Sequence, residues 1–287
     1  MKAQLQSPTH IVIPDTQIKS GVPLDHLRWI GQYIVDEFAG RPFVKIIHLG
    51  DHADMPSLST WDNGKREMEG RRYREDIDAA NRGFEVLNAP LKEHNKRQAL
   101  RHHAKWTPEC HFILGNHENR ITRATSLDAK LDGTIGLGDL NYARLGWNVH
   151  EFLRPVNLDG VIYSHYFYAP MTGKPYGGTS IDTRLKNIGH SFTMGHQQTL
   201  MYGLRFVDGT SQHGLVAGAC YLHDEDYKGP QGNAHWRGII VKHEVRDGSY
   251  DPMFVSLDYL CRKYENMTLT KYTAKKYGDL TSTGDRI

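Results

Sequence analysis

Cysteine, net charge and long apolar runs are all scarce in this chain of 287 residues. The three cysteines, Cys110, Cys220 and Cys261, are odd in number and far apart, which argues against a disulfide framework and fits reduced thiols in a cytoplasmic setting. Two of them lie in or beside apolar runs, so buried small side chains are expected of them rather than ligands. A formal charge of only +2 leaves no overall polycation, so a nucleic-acid role would need a local basic patch. No stretch approaches the roughly 18 uninterrupted apolar residues that span a bilayer, and residues 1–9 lack the apolar core of a secretory signal. A soluble, cytoplasmic protein that makes no membrane contact is the expectation.

What is plentiful is histidine, with 17 residues; hydrophobic content of 39% and charged content of 24% are those of an ordinary globular protein. The length suits one large α/β domain or one domain with an insertion. The histidines gather where apolar runs stop. Ile46-Ile47-His48-Leu49-Gly50 opens into Asp51-His52-Ala53-Asp54, and a short apolar run closed by Gly reads as a buried parallel strand whose carboxyl end faces a ligand. The pattern recurs four times: His10 to Pro14 leads to Asp15-Thr16-Gln17, His111 to Gly115 to Asn116-His117-Glu118, Val161 to Ser164 to His165, and Phe192 to Gly195 to His196-Gln197-Gln198. Singly, these residues could be helix caps, turn formers or satisfied core histidines. Coincidence at five successive strand ends argues for a shared site.

Between these runs, apolar residues at helical spacing predict a helix over 23–38, with Pro23 near its start and Gly40 beyond its end. Strand, helix, strand in that order implies a parallel pair with a right-handed crossover. Residues 56–108 read as charged and helix-compatible, interrupted at Gly70, Gly83 and Pro90. They carry Lys65, Arg66, Arg71, Arg72 and Arg74, then Lys92, Lys96, Arg97, Arg101 and Lys105, which form either a solvated helix face or a patch for phosphates. Further helices are expected over 118–131 and 180–190. Strands are expected over 147–153, 215–219, 239–243 and 254–257. The glycines of 133–138 lack phosphate-loop spacing and are assigned to turn geometry. The polar-aromatic run 221–227 is expected to border the cleft, with His223 a ligand candidate, and 229–236 reads as a flexible loop.

The series Asp15-Thr16-Gln17, Gly50-Asp51-His52-Ala53-Asp54, Gly115-Asn116-His117-Glu118, His165 and Gly195-His196-Gln197-Gln198 resembles the calcineurin-like metallophosphoesterase superfamily. That family's pattern is D-x-H, GDxxD, GNH[DE], H and GHxH in this order. The lengths look most like its bacterial and phage branch of DNA-repair-exonuclease-like proteins. The resemblance implies a four-layer αββα sandwich over residues 1–260 with a helical basic insertion over 55–108, and the polar composition of 261–287 reads as a tail with a disordered end.

It also implies two divalent ions bridged by Asp51, with Mn²⁺ favoured over Mg²⁺, Zn²⁺, Fe or Ni. Asp15, Gln17 and Gln198 would complete one ion's shell, and Asn116, His165 and His196 the other's. His117 would protonate the leaving oxygen, Asp54 and Glu118 would orient neighbours, and Arg120, His52, Lys96, Arg97 and Arg101 would meet substrate. Gln17 and Gln198 stand where the family pattern has histidines, which hardens and weakens that ion's site. Asymmetric occupancy is therefore expected, with one tight ion and one labile.

Monoesterases of the family follow GDxxD with Arg-Gly, whereas Asp54 here is followed by Met55-Pro56, so a diester substrate is expected. Basic residues with Trp61, Tyr73 and Trp106 nearby suit DNA. The rivals are a small-molecule or cyclic-nucleotide phosphodiesterase, a protein phosphatase, and a catalytically weak scaffold that binds nucleic acid or protein.

Overall fold

The computed structural model describes residues 7–62, 64–225 and 228–278. The strands are β1 (Thr9–Ile13), β2 (Val44–His48), β3 (Glu109–Ile113), β4 (Asn148–His150), β5 (Val156–Leu158), β6 (Val161–Tyr163), β7 (Tyr168–Ala169), β8 (Lys174–Pro175), β9 (Phe192–Met194), β10 (Leu200–Val207), β11 (Thr210–Ala217), β12 (Gly238–Arg246) and β13 (Ser249–Ser256). The helices are α1 (Asp25–Phe38), α2 (Tyr73–Leu100), α3 (Asn119–Leu127), α4 (Ile181–Ile188), α5 (Gly229–Asn233), α6 (Leu257–Glu265) and α7 (Leu269–Tyr277).

Two sheets stack face to face. One has the order β13-β12-β1-β2-β3-β4 and the other β10-β11-β9-β6-β5. The strands β1 to β4 run parallel, as do β6, β9 and β11. β1 to β3 are nearly continuous apolar runs because both faces of their sheet are covered. One face packs on α1, α2 and α6 through Ile11, Ile30, Ile46, Phe84, Phe112 and Leu260. The other meets the second sheet through Val12, Ile47, Ile113, Tyr163 and Leu215. The second sheet's outer face is closed by Leu185 of α4 against Phe192, Met194 and Val216. The result is the expected α/β/β/α order of four layers, with the apolar core divided among three interfaces.

Two local readings differ from the structure. α2 is a single helix that passes through Gly83 and Pro90, because Ile77, Ala80, Phe84 and Leu87 form a continuous stripe pressed against the first sheet and α1. Residues 261–277 are not a tail: α6 and α7 pack on α1, where Trp29 donates to Glu265 at 2.8 Å and meets Tyr272 edge-on at 5.1 Å. The expected disordered end, 279–287, lies outside the described residues, as do residues 1–6. The strand β10 had no sequence signal, since it is an edge strand of alternating, half-exposed residues. All three cysteines are buried and free. Among the described residues, no helix is long and apolar enough to cross a membrane.

His26 illustrates how burial sets pH sensitivity. It is fully buried on α1 and neither ring nitrogen has a hydrogen-bond partner. Burial, helped by the nearby His223, pushes its pKa down from 6.5 to about 3. The unfolded chain accepts this proton near pH 6.5 and the folded protein does not, so stability is full above that value and falls as pH drops towards 3. The slope from this residue alone is ~1.4 kcal/mol per pH unit. His26→Leu is expected to be more stable than the parent at pH 5 by ~1 kcal/mol or more and to lose less stability between pH 7 and 5. Urea denaturation at the two pH values measures this, and parallel losses in both proteins would contradict it.

Candidate metal centre

The carboxyl ends of β1, β2 and β3 from one sheet and of β6 and β9 from the other open on the same edge of the sandwich. The turns that follow β1 and β2 are zipped together: the amides of Thr16 and Gln17 donate to the Asp51 carbonyl at 3.2 and 2.9 Å, Ile18 to His52 at 2.6 Å, and Asp54 back to Ile18 at 2.9 Å. Left-handed backbone at non-glycine residues collects here, at Gln17, Asp51, Met55, His196 and Gln198. Each costs on the order of 1 kcal/mol, a local strain that the surrounding bonds must hold.

The glycines of the motifs are explained by crowding. A Cβ on Gly115 would lie 2.1 Å from Asp51 Oδ1, and one on Gly195 would lie 2.4 Å from Asp15 Oδ1. Only hydrogen leaves room for the carboxylates. Glu118 then locks the turns: its carboxylate accepts from the amides of Asp51, Ala53 and Gly115, each at 2.9 Å, and from the Tyr142 hydroxyl at 3.3 Å. Burial and the charge of Asp51 raise its pKa, while the amides oppose that rise.

Four side chains from three turns and β9's end converge. Asp51 Oδ2 lies 3.2 Å from His165 Nε2, and Asn116 Oδ1 lies 2.9 Å from the same nitrogen and 2.8 Å from His196 Nδ1. The ligating atoms of Asp51, His165 and His196 fall within 4.8 Å of one another. His165 Nδ1 donates to the Leu49 carbonyl at 2.7 Å, which fixes the ring and turns Nε2 towards two oxygen acceptors. A nitrogen so placed needs a positive centre in front of it, either a proton or a metal ion. Burial disfavours the proton, yet Asp51 and Asp15 outweigh it and raise the pKa to about 9. His196, pushed down to about 4 by burial and by His165, is neutral and available as a donor to a cation. This set fits a divalent ion with mixed N and O ligands.

The other half of the pocket is poorer. Asp15 is fully buried; its Oδ1 accepts from the His196 amide at 3.1 Å, and its Oδ2 has no hydrogen-bond partner. Burial raises its pKa to about 7 despite the pull of His165. Gln17 reaches Asp51 Oδ2 at 3.4 Å. Gln198 turns instead to Tyr221 and Lys228, with its Oε1 accepting from the Tyr221 hydroxyl at 2.8 Å and from the Lys228 ammonium.

His117 faces Asp51 from the opposite wall, with Nε2 3.8 Å from Asp51 Oδ2. Its Nδ1 donates to Asp54, at 2.7 Å to Oδ1 and 2.9 Å to the carbonyl. Burial works against its charge, but Asp51 and Asp54 raise the pKa to about 9, so the ring carries a proton at neutral pH. Lys19, which the sequence reading overlooked, holds Asp54 Oδ2 at 3.3 Å and Glu225 Oε2 at 2.8 Å. Its place two residues beyond Gln17 was the available signal. Lys228 had none, since no local motif marks it.

Arg120 lies beside His117, with Nη2 3.3 Å from Nε2 and Nη1 donating to the carbonyls of Asp54 and Met55. The remaining expected substrate contacts are corrected. His52 is fully buried, bonded to Thr16 Oγ1 at 2.7 Å and the Ala80 carbonyl at 3.0 Å, and so ties the turns to α2 instead of meeting solvent. Lys96, Arg97 and Arg101 sit at the far end of α2, where Asn95 bonds Trp106 and Trp106 bonds Arg41 below the amino ends of β2 and β3. The 28 residues of α2 at 1.5 Å each put that end ~30 Å or more from the helix start at the rim. Trp106 and Tyr73 are packing residues, Tyr73 donating to Asp139 at 2.6 Å, whereas Trp61 is 83% exposed. His223 pairs with Glu225 at 2.9 Å and does not join the centre; Asp226 and Tyr227 of the same run lie outside the described residues. Residues 229–233 of the expected loop form the short helix α5.

No family model and no curated protein matches the chain. Among solved structures it is similar to Vps29 of Entamoeba histolytica, determined in complex with Zn²⁺, at 10% identity over 87% of this chain and 99% of that one, with a TM-score of 0.37. A likeness that loose carries no weight for the chemistry.

Because Glu118 receives three buried amides, Glu118→Leu leaves them without partners. It is expected to lower stability by ~3 kcal/mol or more and to weaken metal binding. Urea denaturation and metal titration measure both, and a loss within the scatter of surface substitutions would refute the locking role.

Proposed function

We propose that this chain is a metal-dependent phosphodiesterase of the metallophosphoesterase kind, acting on DNA, in which Asp51 would hold a divalent ion at a centre with two unequal halves. The observation that carries the reading is the convergence of Asp51, Asn116, His165 and His196, with a fixed imidazole nitrogen aimed at oxygen acceptors. These four would hold the tighter ion, and Asp15, Gln17 and Gln198 would border the weaker position. Mn²⁺ is the favoured metal, since half of the donors are hard oxygens. Bound there, a divalent ion supplies positive charge to the phosphoryl oxygens and a more acidic water as nucleophile.

The chain's own residues supply the rest. Asp51 is held fully ionised: burial opposes its charge, but His117 and His165 on either side overcome it, and the His117 amide binds Oδ1 at 2.9 Å. His117, protonated and oriented by Asp54, donates its Nε2 proton to the departing alkoxide. Lys19 fixes Asp54 from behind. Arg120 is aimed by two carbonyls so that its Nη2 lies next to that proton's path, where it can bind a phosphate oxygen. Met55 follows Asp54, where the monoesterase pattern has an arginine for the extra charge of a monoester. Lys65, Arg66, Arg72 and Arg74, together with exposed Trp61, belong to the segment that follows Asp54, and Arg71 ties that segment to the Pro56 carbonyl at 3.1 Å. Cations for phosphates and an exposed ring for a base suit a polynucleotide.

Purified protein with Mn²⁺, Mg²⁺, Zn²⁺ or no metal is to be assayed on a chromogenic diester, its monoester, and single- and double-stranded DNA. Metal-dependent cleavage of the diester and of DNA is expected. Turnover of the monoester alone would refute the nuclease reading, and no turnover under any metal would favour a binding scaffold. His117→Asn is expected to lower turnover ~100-fold or more with metal content unchanged. Asp51→Asn is expected to lose metal, and unaltered metal content would refute its ligand role.

A further inference from the structure

The weaker half of the centre is served by a cation of the chain's own. Lys228 Nζ donates to Gln198 Oε1 and, at 3.0 Å, to the Tyr221 hydroxyl, above whose ring it lies 5.7 Å from the centroid. Tyr221 itself donates to the same Gln198 oxygen at 2.8 Å. A carboxamide oxygen has two lone pairs, and both are engaged. The one atom through which Gln198 could ligate an ion is thus already spent on the ammonium and the hydroxyl.

The placement of Lys228 is not that of a drifting surface lysine. Glu225 and Gly229, on either side of it in sequence, are both bonded to Asn233, which accepts from the Glu225 amide at 3.0 Å and donates to the carbonyls of Glu225 at 2.9 Å and Gly229 at 3.0 Å. Tyr221 is in turn fixed by the Arg237 guanidinium over its ring at 4.7 Å. Burial disfavours the ammonium, and Glu225 first and Asp15 second offset part of that cost. A divalent ion and an ammonium on one carboxamide oxygen repel, so only one of them takes Gln198 Oε1.

We propose that Lys228 is the second cation: the protein binds one divalent ion, on the Asp51, Asn116, His165 and His196 side, and presents an ammonium to the other side of the phosphate. This rests on the reading of the site as a metal centre. It also fits glutamine at position 198, since a carboxamide oxygen accepts from both the ammonium and the Tyr221 hydroxyl, whereas an imidazole nitrogen has a single lone pair. An ammonium supplies charge but no Lewis acidity, so any acidification of water would fall to the ion that Asp51, Asn116, His165 and His196 would hold.

The test is Mn²⁺ stoichiometry, measured on metal-stripped full-length protein by calorimetric titration and, for the bound ions, by the spin-coupled electron paramagnetic resonance signal that only a close manganese pair gives. The parent chain is expected to bind one equivalent without the pair signal. Lys228→Met is expected to bind a second equivalent and to show the signal, and Lys228→Arg, which keeps the charge, to remain at one. Lys228→Gln repeats the charge removal with a polar side chain should the methionine variant not fold. Two equivalents in the parent would overturn the role of Lys228 and leave the metal centre standing. One equivalent in folded variants that lack the charge would also overturn that role. No binding in the parent would overturn both readings.

Discussion

Two carboxylates, Asp15 and Asp51, are buried together where the two sheets meet, and the rest of the centre answers that constraint. Water cannot solvate them, so each charge must be met by hydrogen bonds or by positive groups within a few ångströms. Asp51 is fully answered: the His117 amide, the His165 ring, Gln17 and the His117 ring surround it. Asp15 is answered on one oxygen only. The asymmetry of the site begins there.

The scaffold exists to hold that arrangement against its own cost. Left-handed residues, close glycine contacts and buried polar atoms would each favour relaxation of the turns. Glu118 opposes this by collecting the amides of three residues, and the backbone ladder between the turns after β1 and β2 adds a second restraint. Outward from His117, Asp54, Lys19, Glu225 and His223 form one continuous chain of contacts. The His117 ring is therefore oriented through a relay of buried and half-buried groups.

The unequal halves bear on chemistry as well as stability. Nitrogen donors cluster at His165 and His196, while the amide oxygen of Gln198 is held by the Tyr221 hydroxyl and the Lys228 ammonium.

Much of this was legible in the linear chain. Apolar runs closed by glycine at residues 46–50 and 111–115 announce parallel strands because both sheet faces are buried, and the charged residues just beyond them must lie on the rim. Helical spacing over 23–38 announced α1 for the same reason, a single apolar stripe. What the linear chain could not disclose depends on direction and distance. Glycine and proline at 83 and 90 looked like breaks, but packing along one side of α2 outweighs local propensity. His52 looked like part of the site because it sits beside Asp51; its ring points the opposite way, into the core. Lys96, Arg97 and Arg101 looked like partners of the rim because they belong to the same segment, and the length of α2 carries them to the other end of the molecule. Lys228 lies 213 positions from Asp15 in sequence. Local chemistry and periodicity determine which residues are able to act and which segments are buried, but only the packed chain decides which side chains share a pocket, because that choice is made by long-range contacts that no short stretch of sequence contains.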